Sequence, residues 1–455
     1  MPFTPVTLVI FGASGDLTRR LLLPGLGTLM KAERLWDLTL IGTSRGGMTP
    51  QEWTGIVSEA LLEGGCSPDG ASRLVSQAHS ITLDPSDVEQ MRAFLNTLSG
   101  QVVLYFALPP AATMKACEAL AQLDLPADLR LGIEKPFGTD LTTARRFNEL
   151  LKRVVHEDRI FRVDHYLGKA TVLNLLGLRF ANRIFEPVWN AQNIERVEIV
   201  ADETLALEGR ADYYDRAGAL KDMIQSHLLL VMAMFAMEEP ARIDAVELRD
   251  LMAHTLRSTR LWSNDPVTSS RRARYVAGVT GGRDVPSYVD EPGVDPALET
   301  ETLAEVTVEI NNSRWAGVPI RLRSGKALGD GYRGITVVFR AVSHLTEGFK
   351  TEAPRNVLSI GMTPENIRLQ IATNTEGQKW DLEETILAAD LGTSPVRPYG
   401  QILDGILSGD PLLSVRGDIA EECWRILTPV VESWRDGRVP LDEYRAGSTG
   451  PSSWK

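Results

Sequence analysis

Residues 6–17 have the sequence VTLVIFGASGDL, in which an apolar run of strand length is followed by a glycine turn and the start of a helical pattern. The run at 6–11 predicts a buried strand, and the apolar spacing from Asp16 or Leu17 to about Leu35 predicts a helix. Glycines in such a turn let the backbone approach a pyrophosphate, and N–H groups at the helix N-terminus face its charge. The turn lacks the full G-x-G-x-x-G pattern, so a plain tight turn is the alternative. Its position after a first strand favours phosphate binding.

Strand and helix patterns alternate along the next part of the chain. Short apolar runs predict further strands near residues 38–42, 80–83, 102–108 and 131–134. The tetrapeptides TPQE at 49–52 and SDVE at 86–89 have the pattern of a capping box, which marks the start of a helix. This alternation is typical of a parallel, doubly wound sheet. The predicted class for this part is therefore an α/β, Rossmann-like domain.

After about residue 175 the pattern changes to an alternation with period two. It is found at 195–200, 304–310, 320–323, 335–339 and 367–371. Such strands have one wetter face, so we expect an α+β domain with a large, mainly antiparallel sheet. Between them, a strongly apolar helix is predicted at about 220–237. A chain of 455 residues is too long for one core. We expect a nucleotide-binding domain at 1–170 and a substrate and dimerisation domain at 171–455.

Composition excludes several classes of protein. The net charge of −12 argues against an extended nucleic-acid surface and against binding to anionic membranes. The three cysteines lie far apart, so neither a disulfide framework nor a zinc site is expected, and no metal is predicted. The N-terminal apolar run has no basic segment before it and is too short for a signal peptide or a membrane span. A reducing cytoplasm is the simplest location.

The second predicted strand indicates which dinucleotide is bound. A site for NAD usually ends that strand with an acidic residue, which binds the ribose 2′-hydroxyl. Here the strand leads into Thr43-Ser44-Arg45. A guanidinium group suits a 2′-phosphate, so NADP is predicted over NAD. The alternative is that Arg45 is a solvated surface residue.

The segment Glu134-Lys135-Pro136-Phe137-Gly138 ends another predicted strand. Ligands of doubly wound sheets bind at the carboxyl edge, where this segment places its polar groups. We expect Lys135 to lie near both the nicotinamide and the substrate. The alternative is an ordinary turn with a solvated lysine.

Two further segments carry acid/base and anion-binding groups. In residues 162–169 (RVDHYLGK) five of the eight side chains are polar or charged, which a core segment would not gather without partners. The other segment is the start of the apolar helix, where Asp222 precedes His227. Imidazole has a pKa suited to removing a proton from an alcohol during hydride transfer, and a carboxylate can fix its tautomer. Asp164 is the candidate for that carboxylate. The alternative for His227 is a satisfied core histidine.

With these segments in view, the chain resembles the glucose-6-phosphate dehydrogenase family over nearly its whole length. The resemblance rests on Gly12–Leu17, Arg45, Leu108–Pro110, Glu134–Gly138, Arg162–Lys169, Thr171–Leu176, Arg179–Asn182, Phe185–Pro187, Trp189–Asn190, Glu208–Arg210, Asp222–His227, Trp315–Pro319 and Arg323–Lys326. The segment at 162–169 is highly specific, whereas the glycine turn is not. The resemblance implies oxidation of D-glucose 6-phosphate at C1 to 6-phosphoglucono-1,5-lactone, with hydride transfer to NADP⁺, as the first oxidative step of the pentose phosphate pathway.

The resemblance also implies a role for each candidate residue. His227 is the general base, and Asp164 is its carboxylate partner. The substrate is bound by His165, Tyr166, Lys169, Glu203, Asp222, Lys326 and Lys135. NADP is bound by Gly12, Ala13, Ser14, Gly15, Asp16, Leu17, Arg45 and Lys135. Members of the family usually form dimers or tetramers, so a homodimer or homotetramer is expected.

Two other functions stay open at this point. One is another NAD(P)-dependent sugar oxidoreductase, because Glu-Lys-Pro at a strand end also occurs in the glucose–fructose oxidoreductase family. The other is an inactive homologue that binds a nucleotide and regulates a partner. The presence of His227, Asp164 and Lys169 argues against it.

Overall fold

The computed structural model describes residues 5–33, 37–375, 377, 379–392 and 394–454. It divides into two compact units, each made of several segments. The first unit contains Met1–Ala170, Pro240–Leu251 and Ser394–Glu421. The second contains Thr171–Glu239, Met252–Thr393 and Glu422–Lys455.

The described part of the first unit is built on a seven-stranded sheet, which confirms the Rossmann-like class. Its strands are β1 (Val6–Phe11), β2 (Leu38–Ser44), β3 (Ala78–Thr82), β4 (Gln101–Phe106), β5 (Arg130–Glu134), β6 (Ile160–Val163) and β18 (Ser414–Val415). The order across the sheet is β18-β6-β5-β4-β1-β2-β3. All pairs are parallel except β18 with β6. The order reverses between β1 and β4, and ligands of such sheets bind at that point.

Helices connect these strands. They are α1 (Leu23–Lys31), α2 (Pro50–Glu63), α3 (Pro68–Val75), α4 (Val88–Leu95), α5 (Pro110–Leu120), α6 (Leu141–Val154) and α11 (Pro398–Ser408). A π-helical turn at Thr18–Leu22 precedes α1. The helix expected to reach about Leu35 ends at Lys31, and its expected end lies outside the described residues. The capping box of α2 is confirmed, whereas the one predicted with Ser86 is wrong: Asp87 caps α4, since its Oδ1 accepts from the N–H groups of Glu89 and Gln90.

Within the first unit, a buried arginine links the C-terminal segment 394–421 to the residues that come before position 170. Arg162 has no exposed surface, and its Nη1 lies 2.7 Å from Glu157 Oε1. Its Nη2 donates to Asn148 Oδ1 at 2.8 Å, and Asn148 Nδ2 donates to the carbonyl of Gly417 at 2.9 Å. Every polar group of this cluster thus has a partner, as burial requires. Arg162 is therefore a structural residue within the segment 162–169.

The second unit contains a ten-stranded mixed sheet. Its strands are β7 (Ile194–Asp202), β8 (Thr259–Leu261), β9 (Ser270–Val276), β12 (Leu303–Ile310), β13 (Ile320–Gly325), β14 (Arg333–Phe339), β15 (Val357–Thr363), β16 (Glu365–Asn374), β17 (Leu382–Asp390) and β19 (Leu441–Arg445). The order is β17-β16-β15-β14-β7-β13-β12-β9-β19, and β8 also pairs with β12. The β7–β13 and β9–β19 pairs are parallel and the rest are antiparallel, as expected for a mainly antiparallel sheet. A small hairpin joins β10 (Gly278–Thr280) to β11 (Arg283–Val285).

The remaining α-helices are α7 (Ala170–Phe180), α8 (Ala211–Ala219), α9 (Leu229–Ala236), α10 (Ala245–Arg257) and α12 (Gly417–Arg435). The predicted apolar helix at 220–237 is a π-helical segment, Leu220–Leu228, followed by α9. By length and composition the stretch Ala211–Ala236 could cross a membrane; most of it is buried within the protein, as core helices of soluble proteins also are.

Side chains from distant segments bind the carbonyl groups at the end of α9. The indole N–H groups of Trp189 and Trp315 donate to the carbonyls of Phe235 and Ala236 at 3.0 and 2.8 Å. Arg179 donates to the carbonyls of Met234 and Met237 at 3.1 and 2.6 Å. These carbonyls have no partner within the helix, so the contacts satisfy groups that would otherwise be buried without one.

Candidate active site

The glycine turn after β1 has the backbone geometry that its sequence predicts. Gly12 has a φ of +89°, and a Cβ atom there would lie 2.3 Å from the carbonyl oxygen of Ala107. Only glycine fits this position without strain. The N–H groups of Gly12 and Ala13 both donate to the carbonyl of Thr43, at 3.2 and 3.1 Å. The N–H of Gly15 also donates, to the carbonyl of Gly12 at 3.0 Å, so three N–H groups of the turn are engaged within the protein.

A cavity of about 430 Å³ opens beside this turn at the carboxyl ends of β1, β2 and β3. Gly12, Ser14 and Arg45 line it, which brings together three of the predicted cofactor residues. The Oγ atom of Ser44, also in the lining, is buried and has no hydrogen-bond partner among the described residues. An orphaned hydroxyl beside a guanidinium suits a ligand with phosphate or ribose oxygens. Ala13, Gly15, Asp16 and Leu17 belong to the same turn but not to the lining of this cavity.

Lys135 is the first residue after β5, and its peptide bond to Pro136 is cis. The preceding residue, Glu134, is buried, and Tyr105 donates to its Oε1 at 2.5 Å. Tyr399 is a second hydrogen-bond partner of the Glu134 carboxyl. Burial raises the pKa of Glu134 to about 7, although the hydrogen bond from Tyr105 and the charge of Lys135 oppose that shift. The two tyrosines carry no sequence signal that would have identified them, because each lies in an ordinary apolar pattern.

The segment 164–169 gathers three of the predicted substrate residues. The ring of Tyr166 lies edge-on to His165, with centroids 5.2 Å apart, and Lys169 Nζ lies 4.0 Å from the centre of the Tyr166 ring. His165 also stacks on Tyr399, with ring centroids 5.6 Å apart and planes inclined by 15°. The arrangement offers an imidazole, a phenol and an ammonium group within one short turn. Such donors are suited to a phosphate dianion.

Asp164 lies beneath this group and is 1% exposed. Its Oδ1 accepts from the N–H of Tyr166 at 2.8 Å, so the carboxylate orders the turn that bears the predicted substrate residues. A carboxylate held this way is fixed in position, as a partner for a catalytic imidazole must be. The pairing of Asp164 with His227 stays a prediction.

In the second unit, Asp222 and His227 both lie in the π-helical segment Leu220–Leu228. Five residues apart on an α-helix they would point about 140° away from each other. The wider π-turn, with its i to i+5 hydrogen bonds, reduces that angle. Asp222 accepts from the hydroxyl of Tyr213 at 3.0 Å, and Ser226 Oγ donates to the carbonyl of Asp222 at 2.6 Å. His227 is 1% exposed.

A buried glutamate fixes the start of this π-helical segment. Glu301 Oε1 accepts from the N–H of Leu220 at 2.9 Å, and the Glu301 carbonyl accepts from the N–H of Ala219 at 3.2 Å. Gly218 bends the chain there with a φ of +64°, and a Cβ atom on it would lie 2.3 Å from the Glu301 carboxyl. Burial raises the pKa of Glu301. The position of Asp222 and His227 thus depends on the contact between Glu301 and Leu220, which no sequence motif predicts.

Glu203 and Lys326 meet at the carboxyl ends of the parallel strands β7 and β13. Lys326 Nζ donates to Glu203 Oε2 at 2.7 Å, and Arg333 Nη2 donates to Glu203 Oε1 at 2.6 Å. Lys326 Nζ also lies 5.2 Å from the centre of the Tyr214 ring. The structure therefore pairs two predicted substrate residues directly. It adds Arg333 and Tyr214, which sequence reasoning missed because neither stands in a recognisable motif.

Comparisons with known proteins match both parts of the chain. Residues 9–174 match the family model described as the NAD binding domain of glucose-6-phosphate dehydrogenase, and residues 176–455 match that of its C-terminal domain. A glucose-6-phosphate 1-dehydrogenase of Treponema pallidum (strain Nichols) is 36% identical over 479 residues, which cover 99% of this chain and 92% of the relative.

Two solved structures are similar to the whole chain. One is the glucose-6-phosphate 1-dehydrogenase of Mycobacterium avium, with a TM-score of 0.87 and 32% identity. The other is a glucose-6-phosphate dehydrogenase in complex with its substrate glucose-6-phosphate, with a TM-score of 0.89 and 29% identity. In both cases the similarity covers 99% of this chain and 96% of the other.

Proposed function

The chain belongs to the glucose-6-phosphate dehydrogenase family, and on that premise we propose that it oxidises D-glucose 6-phosphate at C1 to 6-phosphoglucono-1,5-lactone. It is an oxidoreductase that acts on a CH–OH group, and the family carries out the first oxidative step of the pentose phosphate pathway. The observation that carries this function is similarity along 99% of the chain to relatives of that activity.

NADP is the dinucleotide that we propose for the cavity beside the glycine turn. Arg45 supplies a cation where an NAD site would place an acid, and Ser44 Oγ supplies a hydroxyl that lacks a partner among the described residues. The turn residues at 12–17 would hold the pyrophosphate. When bound, the nicotinamide accepts the hydride that leaves C1 of the sugar.

We propose that His165, Tyr166 and Lys169 bind the 6-phosphate of the substrate. They come from one turn, and their donors are held by ring packing and by the hydrogen bond of Asp164 to the Tyr166 N–H. Charge-assisted hydrogen bonds to a dianion are among the stronger protein–ligand contacts. This clamp predicts a strong preference for the phosphorylated sugar.

The proposed chemical step divides among four residues. His227 takes the proton from the C1 hydroxyl as the hydride leaves, so the oxidised carbon becomes the lactone carbonyl. Asp164 holds the imidazole in the required tautomer and stabilises its protonated form. Asp222 would accept a hydrogen bond from a sugar hydroxyl, and Lys135 would contact both the substrate and the nicotinamide.

The Glu203–Lys326 pair is proposed to bind the remaining sugar hydroxyls. In the structure the carboxylate already accepts from Lys326 and Arg333, so its orientation is set before a sugar arrives. Preorganisation of this kind lowers the entropy cost of binding.

We further propose that the protein is a homodimer or homotetramer of the cytoplasm. Strand β17 is the edge of the larger sheet, and Ile386 and Leu387 on it are 47% and 53% exposed. Consecutive strand residues point to opposite faces, so this edge exposes apolar side chains on both faces of the sheet, and a second copy that paired with the edge would cover them. The three cysteines are all buried and none is part of a disulfide in the described residues, in keeping with a reducing compartment. Light scattering coupled to size exclusion measures the mass, and a monomer at micromolar concentration refutes the oligomer.

A spectrophotometric assay with purified protein tests the function. Reduction of NADP⁺ and of NAD⁺ is followed separately with glucose 6-phosphate and with glucose. Turnover of the phosphorylated sugar, with glucose a poor substrate, is expected. Equal turnover of free glucose would indicate another sugar oxidoreductase, and binding of nucleotide without turnover would indicate an inactive homologue.

A further inference from the structure

The cavity proposed for the dinucleotide contains a second cation that the sequence motifs do not include. Lys115 lies on α5 and lines the cavity together with Arg45, Asp84 and Ser86. It comes from the crossover that follows β4, whereas Arg45 follows β2. Two separate elements thus bring positive charge to the same cavity.

Asp84 is the acidic group of this lining, and its position makes the second cation necessary. Its Oδ1 accepts from both the N–H and the Oγ of Ser86, at 2.9 and 2.7 Å, so the carboxylate is held in place. Those hydrogen bonds lower the pKa of Asp84, and the charges of Arg45 and Lys115 add to that effect. The carboxylate is therefore ionised at neutral pH and lies within electrostatic reach of both cations.

The balance of charge in the lining decides which ribose can bind. With Arg45 alone, the positive charge would be cancelled by Asp84, and a ribose 2′-phosphate would gain little. A fixed carboxylate is also the kind of group that accepts a hydrogen bond from the 2′-hydroxyl of NAD. Lys115 gives the lining one net positive charge: two cations against one carboxylate.

We propose that Lys115 is a specificity-determining residue that, with Arg45, binds the 2′-phosphate of NADP against the opposing charge of Asp84. This inference rests on the proposed binding of NADP at this cavity. It predicts that preference for NADP is divided between two elements of the fold, and that Asp84 limits it.

Calorimetric titration with 2′,5′-ADP and with 5′-AMP tests this inference, because the two probes differ only by the 2′-phosphate. Lys115→Ala should weaken binding of 2′,5′-ADP by roughly threefold to tenfold and leave 5′-AMP within about twofold. Asp84→Asn should strengthen binding of 2′,5′-ADP. Lys152→Ala is the matched control, since Lys152 is a half-exposed lysine of the same unit on α6, paired with Glu149 and absent from the cavity lining.

The outcomes separate the inference from the function on which it rests. If Arg45→Ala loses the preference for 2′,5′-ADP but Lys115→Ala does not, the inference is wrong and the NADP site stands. Equal weakening of both probes by Lys115→Ala also overturns it, because the lysine then acts on the shared adenosine phosphate. If neither Arg45→Ala nor Lys115→Ala changes the preference, the NADP assignment of this cavity fails with it.

Discussion

The hydroxyl of Tyr105 donates a 2.5 Å hydrogen bond to the buried carboxyl of Glu134, one residue before Lys135. Tyr399, the second partner of that carboxyl, stacks on His165. A titratable group thus lies between two tyrosines that support the proposed substrate site. Its protonation has consequences for stability that can be measured.

Glu134 should make the wild-type protein less stable as the pH rises from about 5 to about 7. Its pKa rises from 4.5 to about 7 on folding, so the folded state binds the extra proton in that interval. This contribution to the free energy of unfolding is fully present below pH 4.5, and about 3 kcal/mol of it is lost by pH 7. Urea unfolding of wild type and Glu134→Gln at several pH values measures it.

The variant Glu134→Gln should show a flatter dependence over this interval than the wild type. Glu149→Gln serves as the control, because that side chain is 71% exposed. Parallel stability curves for wild type and Glu134→Gln would contradict the raised pKa.

Replacement of Gly218 by alanine should destabilise the protein by at least about 2 kcal/mol, because a positive φ and a clash with Glu301 combine. It should also lower kcat, since the π-helical segment that carries His227 begins there. Thermal unfolding and steady-state kinetics measure the two effects. Gly55→Ala is the control: Gly55 is inside α2, and nothing apart from the nearby backbone of its own helix lies within 4 Å of an added Cβ. That change should stabilise slightly, and equal effects of the two substitutions would refute the role of Gly218.

The variant His227→Asn should reduce kcat by about 10²-fold or more while KM for glucose 6-phosphate changes little. The reason is that asparagine cannot accept the proton from the C1 hydroxyl. The pH profile of kcat should lose the limb that the general base contributes. Near-native turnover of this variant would refute the assignment of the base.

The variant Lys169→Ala should raise KM for glucose 6-phosphate by about tenfold or more, because it removes one cation from the proposed phosphate clamp. The KM for glucose should not change, since that sugar has no phosphate to bind. Lys152→Ala controls for the general loss of a positive charge. A rise in KM that is equal for both sugars would show that Lys169 does not bind the phosphate.

Local patterns in the sequence account for much of the first unit. The apolar run at 6–11 has the length and the β-branched residues typical of a buried strand, and Thr49 caps α2 because its hydroxyl and Glu52 bond reciprocally. The residues at 165–169 were predicted as one cluster because they are neighbours in sequence. Strands, helix caps and clusters of neighbouring residues depend on local sequence preferences and could therefore be predicted.

Contacts between distant segments could not be predicted in this way. No periodicity indicates that Tyr399 stacks on His165, or that Glu301 binds the N–H of Leu220. The pattern at 86–89 favours Ser86 as the cap of α4, but Asp87, beside it, can cap equally well and does so in the structure. The sequence at 220–228 predicts a helix but does not distinguish a π-helix from an α-helix, so the wider turn could not be predicted.

The pairing of β18 with β6 and the packing of α11 on α1 have a consequence for synthesis of the chain. Residues 396–407 supply core side chains of the first unit, and Gly417 joins the cluster around Arg162. A ribosome that has released the first 170 residues has therefore not yet delivered everything that their sheet requires. These first 170 residues must wait, with one sheet edge uncovered, until nearly the whole polypeptide has emerged. During that interval the unpaired strand edge is prone to aggregation, and chaperone binding would matter most.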